Sequence, residues 1–157
     1  MDKLINLTIC LMNNKIEEVV SFDNTIESLK NIKKGILVKI KFGQKQYLFS
    51  SNDILYISLC KERISKHNQI LKIYFKPFAQ TLSIYINGNF ENEIPLEIMD
   101  GKDEFIQVKY YDDLYIINTN EISLVELEWL QSKDDVSKDD IFDNIQIDKL
   151  NKSEGSK

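Results

Sequence analysis

Apolar and polar residues alternate along most of residues 4–130, and a period of two is that of a half-buried strand. Ile5, Leu7, Ile9 and Leu11 fall on one side of the opening segment, with Asn6, Thr8, Cys10 and Met12 on the other. Asn13-Asn14 tolerate positive φ and suit a tight turn into a second strand around Ile16, Val20 and Phe22. The period then shifts. Asn24 as a cap, Glu27 three residues on, Ile26 and Leu29 at helical spacing, Lys30, Lys33 and Lys34 in the last turn and Gly35 after them predict one helix. At about ten residues it depends on packing across the sheet, because isolated helices of that length are marginal.

Alternation returns at Val38, Ile40 and Phe42, with Lys39 and Lys41 between them. Gly43-Gln44 permit a turn, Tyr47 to Phe49 return, Ser51-Asn52-Asp53 turn again, and Ile54 to Leu59 form a third strand. In that strand the apolar positions break strict alternation, which predicts a bulge or burial on both faces. Further on, Leu71, Ile73 and Phe75 alternate with Lys72, Tyr74 and Lys76 up to Pro77, which belongs at a strand end or edge. Leu82, Ile84 and Ile86 lead into Asn87-Gly88, a strong hairpin signal, and Phe90 to Ile98 return, interrupted by Pro95.

Residues 38–59 and 106–127 align without a gap. Lys41 meets Lys109, Tyr47 meets Tyr115, Asn52 meets Asn120, Ile54 meets Ile122 and Leu59 meets Leu127. A meander that cannot bury its apolar face alone gains a partner by duplication. The expected fold is therefore mainly β: two related antiparallel meanders, small barrel- or sandwich-like, with about ten strands and one short helix. In coarse pattern each unit resembles the bent-strand meanders of small SH3-like or Sm-like barrels, a likeness of strand plan that implies no function.

A chain of 157 residues, 43% of them hydrophobic, can bury one sizeable core. Residues 1–130 are expected to form the β-rich domain. Residues 131–157 begin with QSKDDVSKDD, too polar to fold alone, and read as an acidic, weakly ordered tail. Its apolar island, Ile141, Phe142, Ile145, Ile147 and Leu150, could form a short helix behind Ser137 or dock, with a tail that folds back on its own domain or stays loose as the plainer reading. No stretch approaches the roughly 20 apolar residues that cross a bilayer. The N-terminus alternates where a secretion signal would be continuously apolar, so no membrane association and a cytoplasmic location are expected.

The net charge of -5 conceals an uneven distribution. Residues 30–76 hold eleven lysines or arginines against Asp53 and Glu62, while the rest of the chain holds nine basic against 23 acidic residues. Outward-facing Lys39 and Lys41 could join Lys72, Tyr74 and Lys76 in one cationic platform if their strands are neighbours, and Lys30, Lys33 and Lys34 could extend it. Lysines on exposed strands also keep sheet edges from aggregating. Glu91, Glu93, Glu97, Asp100, Asp103, Glu104, Asp112 and Asp113 suggest an acidic counterpart that could meet a basic partner.

Catalytic chemistry is not suggested. The chain lacks a Gly-rich phosphate loop, a G-x-S-x-G elbow and H-E-x-x-H, so no catalytic residue is nominated. Cys10 and Cys60 lack metal-knuckle spacing and His67 stands alone, so no metal and no cofactor are expected. The expectation is a non-catalytic binding protein that engages, and in doing so inhibits or sequesters, a macromolecular partner, foremost a protein. The composition fits an accessory or counter-defence protein of a bacterium or phage. Two alternatives stand beside it: an oligomeric sponge for an anionic small molecule such as a nucleotide, and a structural subunit of a homo-oligomeric assembly.

Overall fold

In the computed structural model, which describes residues 4–29, 31–61, 68–76, 80–86, 105–110, 113–129 and 145–149, strands dominate and pair antiparallel throughout. They are β1 (Leu4–Leu11), β2 (Lys15–Ser21), β3 (Leu37–Phe42), β4 (Lys45–Ser50), β5 (Ile54–Cys60), β6 (Gln69–Phe75), β7 (Thr81–Ile86), β8 (Phe105–Tyr110), β9 (Asp113–Asn118), β10 (Ile122–Trp129) and β11 (Ile145–Lys149). One helix, α1 (Phe22–Leu29), follows β2, and single 3-10 turns at Ser51–Asp53 and Thr119–Glu121 precede β5 and β10. The strands form a six-stranded sheet ordered β11-β8-β9-β5-β1-β2, a three-stranded sheet β10-β6-β7 and the hairpin β3-β4. The protein is thus mainly β, built of two related meanders.

The aligned stretches adopt the same structure element by element. Leu37 and Phe105 open the first strands, Lys45 and Asp113 the second, and Ile54 and Ile122 the third. Ser50 and Asn118 each cap their 3-10 turn, the side chain accepting a hydrogen bond from the N–H of Asn52 or Asn120. The likeness also reaches upstream of the aligned residues. β1 pairs with β5 through Leu7↔Leu59 and Ile9↔Ile57, and β6 pairs with β10 through Leu71↔Leu127 and Ile73↔Val125. Both ladders shift register where the last strand begins. Met12 N–H donates to the Asp53 carbonyl and Lys76 N–H to that of Glu121, each at 2.9 Å. Leu11 to Asn14 and Phe75 to Gln80 close the two hairpins, each at 2.8 Å. Each copy is therefore two hairpins, a 3-10 turn and a final strand that returns to the first.

Alternating side chains of the six-stranded sheet feed two cores. Ile57, Leu59, Leu114 and Ile116 face the first, closed by the β3-β4 hairpin and by Leu29 and Ile32. Tyr56, Tyr115 and Ile117 face the second, closed by β6, β7 and Ile122. Both alternatives expected for β5 hold: it carries a bulge at Leu55, opposite Cys10 and Leu11, and it is buried on both faces.

One expectation needs correction. The helix is shorter and earlier than predicted, because β2 runs straight into it and Thr25 Oγ1 donates to the Ser21 carbonyl at 2.7 Å. Asn24 consequently lies inside the helix. Ile32 N–H then closes a tight turn onto the Leu29 carbonyl, which sends Ile32 into the core and leaves Lys33 and Lys34 beyond the helix. Gly35, at φ 78°, takes a backbone conformation disfavoured for other residues. Of the readings open for the apolar island, residues 145–149 take the one in which the tail folds back on its own domain: they form an edge strand paired with β8. The expected hairpin at Asn87-Gly88, the strand over 90–98 and the remainder of the 131–157 tail lie outside the described residues.

Gln69 marks a local mismatch. It is fully buried at the start of β6, and neither end of its amide makes a hydrogen bond among the described residues. By the alignment of β1 with β6 its counterpart is Ile5, buried in the first core. An orphaned buried amide costs about 1–3 kcal/mol. Gln69→Ile is therefore expected to raise unfolding stability by about 1 kcal/mol in a urea titration; a loss of stability would show that the amide has an unrecognised partner.

Candidate functional site

The lysines nominated from sequence divide into three groups. Lys39 and Lys41 project from the outer face of β3, both exposed, because Val38 and Ile40 turn into the first core. Neither makes an ion pair among the described residues. Their cross-strand neighbours on β4 are Leu48 and Gln46, also exposed, and Leu37 extends the face at 71% exposure. An open groove of about 280 Å³ runs beside Lys41, walled by Val19, Val20, Ile40 and Phe42 with Ser21 and Thr25 among its lining. Lys33, in the connector before β3, is exposed as well.

Lys34 is half-buried. Its ammonium lies 4.9 Å from the centre of the Phe105 ring and donates to Asn118 Oδ1, so it ties the connector of the first copy to the hairpin of the second. Lys30 lies outside the described residues.

The third group, Lys72, Tyr74 and Lys76, faces outward from β6 and is matched by β10. Lys72 Nζ sits 2.8 Å from Glu128 and 3.6 Å from Glu126, the Tyr74 hydroxyl donates to Glu126 at 3.1 Å, and Lys76 Nζ donates to the Asn120 carbonyl at 3.0 Å. Hydrogen bonding to Glu128 raises the Lys72 pKa; desolvation, followed by the Glu126 hydrogen bond, raises that of Tyr74. Both groups therefore hold their protons more firmly in the fold.

β3 and β6 belong to separate sheets that cover opposite faces of the six-stranded sheet. The neighbouring-strand condition for one platform of Lys39, Lys41, Lys72, Tyr74 and Lys76 is not met. Sequence reasoning missed the glutamates because it did not pair β6 with β10, strands separated by most of the second copy. The available signal was the alignment of β10 with β5 combined with a return of each last strand to the first.

Of the acidic positions, Asp113 is buried at the start of β9 and accepts the Lys61 N–H at 3.1 Å, a structural role beyond turn chemistry. The others named with it lie outside the described residues. Burial raises the Cys10 thiol and pushes the facing Tyr56 phenol up to about 12, so neither supplies an anion near neutrality. Among the described residues no cluster of three His, Cys, Asp or Glu could hold a metal, and no helix is long and apolar enough to cross a membrane. Compared with known proteins, the chain matches no family model, no curated protein and no solved structure.

Proposed function

We propose that the protein is a non-catalytic binding protein that engages an acidic protein surface through the outer face of β3, with Lys39 and Lys41 as its charged contacts and Leu37 as an apolar one. One observation carries this reading: among the described residues, glutamates are supplied to the lysine of β6 while those of β3 are left unmatched. Two like charges two residues apart on one strand repel mildly, and an acidic partner relieves that repulsion. The neighbouring groove offers room for a side chain from the partner. Lys33 lies in the same copy and adds to the local positive field. Engagement of this kind would inhibit or sequester the partner by occupying its acidic surface.

The test compares capture of partner from the native host by three forms of the chain, followed by identification of the captured protein. Lys39→Glu with Lys41→Glu is expected to abolish capture while leaving the circular dichroism spectrum unchanged. Lys72→Glu with Lys76→Glu is expected to retain it, and wild-type capture should weaken as salt screens the charges. Capture that survives reversal of both β3 lysines would refute the assignment.

A further inference from the structure

We propose that the edge of β4 left unpaired among the described residues pairs with the corresponding edge of β10 in a second copy of this chain, using the register by which β9 and β5 already join the two halves of one chain. Within the chain the joint runs through Tyr56↔Ile117, Ile57↔Ile116, Ser58↔Tyr115 and Leu59↔Leu114. β4 is the counterpart of β9 and β10 the counterpart of β5, so the duplicated plan contains the same joint a second time. It is not made within the chain: among the described residues β4 pairs only with β3, and β10 only with β6.

Burial differs at these counterparts as an unfilled joint requires. Ile116 is 1% exposed and its counterpart Leu48 is 66% exposed. Phe105 is buried at 3%, against the exposed Leu37. Across the joint, Ile57 and Leu59 are completely buried, whereas Val125 and Leu127 are only partly buried against the second core. Transferring the β5-β9 register sets Val125 opposite Leu48 and Glu126 opposite Tyr47. Leu48 then extends the second core of the neighbouring chain as Ile116 extends the first core within its own.

Charge selects this pairing over the alternatives. The next positions along the same register bring Glu128 opposite Lys45, whose ammonium now lies 3.3 Å from Glu18. Pairing β10 with β10 antiparallel would set its glutamates near one another, whereas β4 offers Lys45 at its end. The acidic edge of β10 is attracted by the Lys45 end of β4 and repelled by a second β10, which favours a second copy docked edge to edge. Each chain carries one edge of each kind, so two chains can satisfy both edges reciprocally, and a larger ring can do so head to tail. Of the binding face proposed above, Lys41 stays accessible and Lys39 partly so, since the matching positions in the joined copy are Lys109, exposed, and Gln107, half-buried, whereas Leu37, matched by buried Phe105, is taken up by the joint. This inference does not depend on that reading.

Light scattering and sedimentation of the full chain over a wide concentration range provide the test. Wild type is expected to exceed monomer mass. Leu48→Asp, at an exposed site, is expected to weaken association at least about tenfold with unchanged circular dichroism. Lys45→Glu and Glu128→Lys should each weaken it alone, and mixing the two variants should restore it, since each supplies the charge the other lacks. Lys39→Glu with Lys41→Glu should leave the mass unaltered. A wild-type monomer at every concentration would overturn the proposal, as would association indifferent to Leu48→Asp or a charge-swapped mixture that stays dissociated.

Discussion

Leu59→Ala is expected to destabilise the fold by about 2–5 kcal/mol and Leu127→Ala by about 1 kcal/mol, although the two leucines occupy equivalent positions of the duplicated plan. Leu59 is fully enclosed, with β1 on one side, β9 on the other and the first core beneath it, so truncation leaves a cavity. Leu127 sits on a strand with one hydrogen-bonded neighbour and is only partly buried. Its site can relax and admit water, which removes most of the cavity penalty. Urea titrations of dilute protein measure both values. Equal costs would mean that the edge of β10 is covered in the monomer after all, contrary to the topology on which the self-association proposal rests.

Asn118→Ala is expected to cost about 2–4 kcal/mol, against about 0.5–1 kcal/mol for Ser50→Ala. Both residues cap a 3-10 turn. Ser50 performs that task alone, at 3.2 Å from the Asn52 N–H. Asn118 is completely buried and also bridges the copies: its Nδ2 donates to the Ile54 carbonyl at 2.8 Å, and its Oδ1 accepts from Lys34 as well as from the Asn120 N–H. Alanine removes the Ile54 donor and takes an acceptor from a partly buried ammonium. Denaturant unfolding compares the variants, and Asn118→Asp adds a check, since it keeps the acceptor for Lys34 but cannot donate to Ile54. A cost for Asn118→Ala no greater than for Ser50→Ala would show that the cap, and not the junction, is its only role.

Local pattern identified much of the fold. Alternation marked β1, β3, β6 and β7, Gly43 marked a hairpin turn it occupies at φ 59°, and the gapless alignment located three matching strands in each copy. The upstream kinship of β1-β2 with β6-β7 escaped notice because the hairpin connection is longer in the second copy, which breaks a gapless alignment, and because Ile5 is matched by Gln69. The apolar island near the C-terminus was ambiguous for another reason. Ile145 and Ile147 alone suggest a strand, but Ile141, Phe142, Ile145 and Leu150 fall near helical spacing as well. Only the free edge of β8 resolves the choice, by accepting β11.

The candidate site was half legible. Outward Lys39, Lys41, Lys72 and Tyr74 follow from strand alternation, since neighbours on a strand point to opposite faces. Which of them carry a counter-charge is a property of β10, a distant strand whose glutamates come beside Lys72 through nonlocal pairing. The same division holds for the molecule. Sequence by itself determined the strand period, the two-copy plan and the uneven charge, because each depends on residues close in the chain or aligned with one another. Tertiary structure alone decided that β5 would join β9 while β10 and β4, among the described residues, each kept one edge unpaired. Two near-identical edges compete for each such joint, and long-range burial, not local pattern, selects the one that closes.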